Sequence, residues 1–230
     1  MASPLAGRLV LITSGPTREH LDPIRYLTNS SSGRMGQALA SAAAARGARV
    51  VVVSGPSELA FPPSIQVVRV TTGLQMHAAV LRRAKRADVI IGAAAVSDWR
   101  FAKFSDRKIK RKPGPLRLTL LPNPDIIKAA ALRRPKGRDQ IIVGFALETH
   151  DARSHAKQKL ARKGLDAVVV NGAASLAGKS TSAVFVSRGG AARALGSGAK
   201  TGIARRIIKE VERIFERRAE GADAAVKKPA

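Results

Sequence analysis

Short, nearly uninterrupted apolar runs recur along this chain, separated by segments of helical length. The clearest are Leu9 to Ile12, Val50 to Val53, Val67 to Val70, Val89 to Ile91, Ile141 to Leu147 and Asp166 to Val170. Alternating apolar and polar residues mark a strand with one wet face. Runs that are apolar throughout mark strands covered on both faces, as in a parallel sheet. Between them, Gly36 to Arg46 is Ala-rich and reads as a helix stopped by Gly47. Thr72 is placed to cap a helix running to about Ala87, and Ala152 to Lys163 reads as a basic helix stopped by Gly164. The alternation predicts an α/β fold of Rossmann-like type: three layers around a doubly wound, mostly parallel sheet. A last strand is expected over Ala183 to Val186. Ile207, Ile208, Val211, Ile214 and Phe215 then give a helix from about Thr201 to Arg218 one apolar stripe.

The pattern breaks after Ala95. Arg100, Lys103, Arg107, Lys108, Lys110, Arg111 and Lys112 face a single acid, Asp106, over thirteen residues. This is expected to be an inserted basic loop. Leu116, Leu118 and Leu120 alternate with Arg117 and Thr119 and predict a half-exposed strand, after which Pro122-Asn123-Pro124-Asp125 starts a helix. No linker divides the chain, so residues 1–219 are read as one domain and 220–230 as a flexible tail.

Composition narrows the chemistry. The 230 residues contain no cysteine, which excludes disulfides, thiolate metal sites and a cysteine nucleophile within this sequence. A net charge of +25 attracts polyanions. Yet aromatic residues make up only 3%, with Trp99 and Tyr26 the sole members of their types, so a base-stacking sheet is poorly supported. Nucleic-acid binding is expected to be nonspecific at most. No apolar run approaches the roughly 20 residues of a membrane span, and the run after Arg8 is short for a signal segment. A cytoplasmic location without membrane contact is the expectation.

Two stretches are placed to carry chemistry. Gly33-Arg34-Met35-Gly36 opens a helix after the first strand, where unpaired N–H groups suit a phosphate. The long loop before it holds Arg25, Asn29, Ser30, Ser31 and Ser32, which suit phosphate and carbonyl recognition. The second stretch is Gly92 to Trp99, whose small residues leave room for a ligand at the carboxyl edge of the sheet and end on Asp98. An NADP-dependent reductase is one alternative on such a sheet. The run after the second strand, Val53-Ser54-Gly55-Pro56, lacks the acid that binds the ribose of NAD.

Taken in order, several motifs resemble phosphopantothenoylcysteine synthetase, the ligase of coenzyme A biosynthesis. They are Gly15 to Glu19, Asp22 to Tyr26, Asn29 with Ser31 to Gly36, Ala93 to Asp98, Lys108-Ile109-Lys110, Asn123-Pro124-Asp125, and Gly144 to Thr149. The resemblance implies joining of 4′-phosphopantothenate to L-cysteine through an acyl-nucleotide. CTP is the expected co-substrate, with ATP possible, Mg2+ assisting, no flavin, and a homodimer as the assembly. It implies that Lys108 stabilises charge as the acyl-nucleotide forms, that Asn29 holds this intermediate, and that Arg25 acts on it or on amide formation. The phosphopantothenate site would comprise Asn29, Ser31, Ser32 and Gly33. The nucleotide site would comprise Gly92, Ala93, Ala94, Asp98, Lys108, Pro124, Asp125, Ile126, Ile127, Phe145, Lys159 and Lys163. No metal ligand is assigned.

Three departures stand out. Arg111 replaces a lysine of the family's Lys-x-Lys-Lys run. Ser97-Asp98-Trp99 replaces Ala-Asp-Tyr, and Asn171-Gly172 replaces Asn-Asp. No flavin-domain sequence precedes Arg8, so decarboxylase activity is not expected of this chain.

Overall fold

Residues along each core strand alternate between two buried sides, and this period of two builds the three layers. The structure is a computed structural model that describes residues 2–147, 152–172 and 180–226. In chain order its elements are β1 (Leu9–Ser14), β2 (Arg18–His20), β3 (Tyr26–Thr28), α1 (Arg34–Ala44), β4 (Arg49–Ser54) and β5 (Gln66–Arg69). There follow α2 (Gly73–Ala84), β6 (Val89–Gly92), β7 (Trp99–Phe101), β8 (Leu120–Pro122), α3 (Ile126–Leu132) and β9 (Ile141–Leu147). The last are α4 (Ala152–Lys163), β10 (Ala167–Asn171), β11 (Ser180–Ser187), β12 (Ala192–Ala199) and α5 (Lys200–Val226).

The main sheet runs β12-β11-β10-β9-β6-β1-β4-β5. From β5 to β10 every pairing is parallel, while β11 and β12 are antiparallel additions at one edge. Val10, Ile12, Val52, Ile91, Val143 and Val169 pack on one face with α1 and α5. Leu11, Val51, Ile90, Ile142 and Val168 pack on the other with α2, α3 and α4. This is the expected doubly wound α/β fold. Each fully buried Leu or Ile contributes about 1.5–3 kcal/mol relative to exposure. Successive strands proceed one way from β1 to β5 and the other way from β6 onward. The β1–β6 boundary is therefore a topological switch point, where open α/β sheets bind ligands.

Helix starts follow their caps. Thr72 and Gln75 form a reciprocal capping box at α2, and Asp125 caps α3 through the Lys128 N–H at 3.1 Å. The apolar stripe of α5 is buried as expected, and the helix extends beyond Arg218 to Val226. Residues 227–230 lie outside the described residues, as do Glu148 and Thr149 of the last motif.

Three expectations are revised. The long loop after β1 contains an antiparallel ribbon, β2–β3, in which Glu19 pairs with Leu27. The strand expected over Leu116 to Leu120 shrinks to β8, paired only with β7, and Leu116, Leu118 and Leu120 are exposed. Alternation there has no sheet to bury its apolar side. Strand β12 was not expected, because Ala192–Ala199 is Gly-rich and buries little beyond Leu195; pairing with β11 alone makes it a strand. No helix among the described residues is long and apolar enough to cross a membrane.

Candidate functional site

Beyond the carboxyl ends of β1 and β6 the two chains continue side by side. The Ala94 N–H donates to Thr13 Oγ1 at 3.2 Å, the Ala95 N–H to the Gly15 carbonyl at 3.0 Å, and the Ser97 N–H to Thr17 Oγ1 at 3.0 Å. These bonds hold a strip of small residues open to ligand. Two glycines set its dimensions. A Cβ on Gly36 would strike the Ser14 side chain, so α1 can approach the end of β1 only as it stands. A Cβ on Gly92 would strike Ile127.

A cavity of about 570 Å³ lies over this edge. Asn29, Ser31, Ser32 and Gly33, all expected to bind phosphopantothenate, line it together with Ala93. The Asn29 amide donates to the Val96 carbonyl at 3.0 Å, which orients its oxygen as the remaining acceptor. Gly33, at φ 75°, caps α1 with no side-chain hydrogen bond, so the first-turn N–H groups face the cavity wall without a capping oxygen. Asn171 Oδ1 and Ser32 Oγ are buried and have no hydrogen-bond partner among the described residues. Such orphaned atoms in a cavity wall suit a polar ligand.

An adjoining cavity of about 220 Å³ is lined by Gly92, Ala94, Asp98, Pro124 to Ile127, Phe145, Lys159 and Lys163. The two cavities share Ala94, Val96, Asp98, Phe145 and Lys159 as a common wall. Lys159 Nζ donates to the Phe145 carbonyl at 2.7 Å. Lys163 pairs with Asp125 at 2.7 Å and so ties α4 to the cap of α3. Burial alone would raise the Asp125 carboxyl, but hydrogen bonds from Lys163 and the Lys128 N–H, with the charges of Lys163 and Lys159, hold it below its ordinary value.

Lys108 and Arg25 line neither cavity. Lys108 stands exposed on the basic excursion between β7 and β8. Arg25 is nevertheless joined to that excursion: its guanidinium donates to the Ile109 carbonyl at 2.6 Å. Buried Asp22 holds both sides, accepting from the N–H groups of Ile24 and Arg25 at 2.9 Å and from that of Ile109 at 3.2 Å. Burial opposes this charge, yet the three N–H bonds and Arg25 together push the Asp22 carboxyl down. The Ser105 N–H adds a bond to the Leu21 carbonyl at 2.9 Å. The two motifs meet in space although 84 positions separate Arg25 from Ile109.

Among the described residues no three His, Asp or Glu side chains gather as a metal cage. One carboxylate, Asp98, lies on the common wall. That donor set fits a magnesium ion held mainly by substrate phosphates, which needs only one or two protein carboxylates.

Two cavity residues were missed in the sequence. Asn171 ends β10 as the one polar group after three valines, a signal that places it at the ligand edge. Lys200, the first residue of α5, lines the larger cavity and is 7% exposed. Nothing distinguishes it from the other basic residues along the chain. Burial and then the Arg34 charge push its ammonium down from the usual lysine value.

Comparison with known proteins agrees with this arrangement. The family described as DNA/pantothenate metabolism flavoprotein C-terminal domain matches residues 5–215. A coenzyme A biosynthesis bifunctional protein CoaBC of Vibrio cholerae is 46% identical over 172 residues, covering 73% of this chain and 42% of that protein. Its counterpart from Escherichia coli is 45% identical over 165 residues, covering 70% and 40%. This chain thus aligns with less than half the length of either. A crystal structure of the C-terminal domain of a CoaBC protein superposes with a TM-score of 0.80 at 33% identity, covering 93% of this chain and 98% of that one. The motif resemblance is borne out, and the chain belongs to the DNA/pantothenate metabolism flavoprotein C-terminal domain family.

Proposed function

We propose that this chain is a phosphopantothenate–cysteine ligase that works through an acyl-cytidylate. The observation that carries the reading is the pair of adjoining cavities at the switch point, with Asp98, Phe145 and Lys159 in the wall between them. Such a wall lets two substrates meet end to end. The CoaBC relatives support the substrate class.

The nucleotide occupies the smaller cavity, against Gly92, Ala94, Pro124 to Ile127, Phe145, Lys159 and Lys163. Phosphopantothenate occupies the larger one, against Asn29, Ser31, Ser32 and Gly33. Its carboxylate attacks the α-phosphorus of CTP, forming a carboxyl–phosphate anhydride and releasing pyrophosphate. The cysteine amine then attacks the acyl carbon, an amide forms, CMP leaves with the bonding electrons, and the amine loses a proton. Two anions must meet in the first step, so cations are required there. Lys108, exposed on the basic excursion, would stabilise the charge that develops once it reaches the substrates. Asn29 holds the intermediate, and Arg25, joined to the excursion through the Ile109 carbonyl, acts on the intermediate or on amide formation. Asp98 would hold magnesium with the triphosphate, and that ion supplies charge neutralisation. No flavin takes part. Homodimeric assembly and a cytoplasmic setting belong to the same reading.

Pyrophosphate release by purified protein with magnesium tests it, comparing CTP with ATP, with and without cysteine. Release that depends on phosphopantothenate, with amide appearing only when cysteine is added, is the expected result. CTP should be preferred. Release without phosphopantothenate, or none with either nucleotide, would overturn the reading. An Asn29→Asp variant should still release pyrophosphate but lose amide formation.

A further inference from the structure

Charge is distributed unevenly between the two helical layers. Helix α5 carries Glu210, Glu212 and Glu216 among its cations, and the two buried acids, Glu210 and Glu212, pair with Arg193, Arg213 and Arg46. Helices α2, α3 and α4, on the other face of the sheet, contain no Asp or Glu. The acids that flank this second layer are engaged: Asp88 pairs with Arg138 at 3.0 Å, Asp125 with Lys163 at 2.7 Å and Asp166 with Arg134 at 2.6 Å. Lys85, Arg86, Arg133 and Lys136 are exposed where α2 and α3 end, and among the described residues none of them has a carboxylate partner. Arg138 ties the two ends together by donating to the Lys85 and Arg86 carbonyls, each at 2.7 Å. Two hollows open on this layer. One of about 430 Å³ is lined by Lys85, Arg133, Arg134 and Pro135. The other, of about 580 Å³, places Lys157 of α4 opposite Arg188. Neither has a carboxylate in its wall, whereas the hollow between α1 and α5 sets Glu212 among Arg46, Arg205 and Lys209. Negative helix ends account for Lys85 and Arg133, which follow the last turns of α2 and α3. They do not account for Lys157 in the middle of α4, or for Arg86, Lys136 and Arg188 beyond the helices. Such a field of like charge repels itself and is relieved by a polyanion.

The layer also narrows which polyanion fits. Helices α2, α3 and α4 contain no Phe, Tyr or Trp, so the bases of a single strand find no platform to stack on. Their apolar sides are buried against the sheet, and only Leu74 and Leu132 are large exposed hydrophobics there among the described residues. Two separate leucines are too little for insertion into a lipid surface. We propose that the α2–α3–α4 layer binds the phosphate backbone of a nucleic-acid duplex without reading its sequence. The inference is independent of the ligase reading. Lys85, Arg86, Arg133 and Lys136 lie where the chain enters β6 and β9, at the edge opposite the two substrate cavities, so a bound duplex leaves those cavities open.

Fluorescence anisotropy of a labelled mixed-sequence DNA duplex of about 20 base pairs, titrated with the full chain across a salt series, tests the assignment. Affinity should fall steeply with salt, by about 0.9 in log–log slope for each phosphate neutralised. Lys85→Gln, Arg133→Gln and Lys136→Gln together should weaken binding about tenfold or more at low salt and flatten the slope by about two to three. The same loss of charge from exposed cations of α5, by Arg205→Gln, Lys209→Gln and Arg217→Gln together, should change affinity by only about twofold. Lys157→Gln with Arg188→Gln, at the second hollow, should also weaken the duplex, by about severalfold. None of these residues lines a substrate cavity, so pyrophosphate release should be unchanged in all three variants. Equal weakening by the two triple variants would make the attraction a property of net charge and overturn the inference. Tighter binding of a single strand of equal length, binding of phosphatidylserine vesicles in place of the duplex, or no duplex binding by the wild type would also overturn it. Each of those results leaves the ligase reading untouched.

Discussion

The sheet edge and the basic excursion hold their functional residues in different ways. At the edge, Gly92, Ala94, Phe145 and Asn171 sit on or just past strands whose other residues are core: Gly92 and Asn171 are laddered on both sides, Phe145 pairs with Val169 of β10, and the Ala94 N–H is held by Thr13 Oγ1. The excursion from 102 to 119 has no regular structure, and its residues are mostly exposed. It is fastened by a few bonds, chiefly those that Asp22 and Arg25 make to Ile109. Binding needs fixed walls, whereas the cation that stabilises a passing charge must reach the site after two substrates have entered. Under the proposed function, binding resides at the edge and the cation for acyl-nucleotide formation on the excursion, so mutations in each should affect different constants.

The largest effect should come from Lys108→Gln. Phosphopantothenate-dependent pyrophosphate release should fall by about a hundredfold or more, the cost of removing a group aimed at developing charge. The nucleotide dissociation constant should move only a few-fold; an equal change in both would merge the two regions. Asp22→Asn sharpens the distinction without touching a reacting group. It removes the charge that holds Ile109 and Arg25, so kcat should drop about tenfold with substrate KM values steady. Cleavage between 102 and 119 in limited proteolysis should also quicken.

Gly92→Ala attacks the other region. The new methyl meets Ile127, which must give way, costing about 1–3 kcal/mol in urea unfolding. Nucleotide KM should rise several-fold while kcat is retained. A fall in kcat alone would contradict the assignment of binding to the edge. The smallest effect belongs to Asp125→Asn. Its pair with Lys163 is partly exposed, so stability should fall by about 0.5–1 kcal/mol at neutral pH. Because the folded carboxyl lies below its ordinary 3.8, the contribution is fully present above that value. It is lost as pH falls through the lower folded value. Thermal melts of both proteins across that range should therefore converge at the acid end.

How much of this was legible follows from what each element buries. Parallel strands covered on both faces leave unbroken runs such as Val50 to Val53, and capping side chains such as Thr72 and Asp125 mark helix starts. Strand β12, with one well-buried side chain, and the ribbon β2–β3, outside the core, leave no such pattern. In the site, Gly92 and Asp98 were readable because small and polar residues follow an apolar run at a strand end, and Asn29 because it lies in a long polar loop that carries a family motif. The joining of Arg25 to the Lys108 segment depends on a tertiary hydrogen bond across 84 positions, which no local pattern encodes. Lys200 was hidden for another reason: a single lysine among 41 basic residues carries no signal until its burial is known.

The Ala102 N–H donates to the Thr119 carbonyl at 2.9 Å, so the neck of the excursion is already closed. Residues 103–118 can be replaced there by a short Gly–Ser link. Nucleotide binding and pyrophosphate release by that variant, measured side by side, test the division between the two regions most directly. The account predicts nucleotide binding within a few-fold of the intact chain and release reduced to background. Loss of nucleotide binding in a variant that still folds, or retained release, would contradict it.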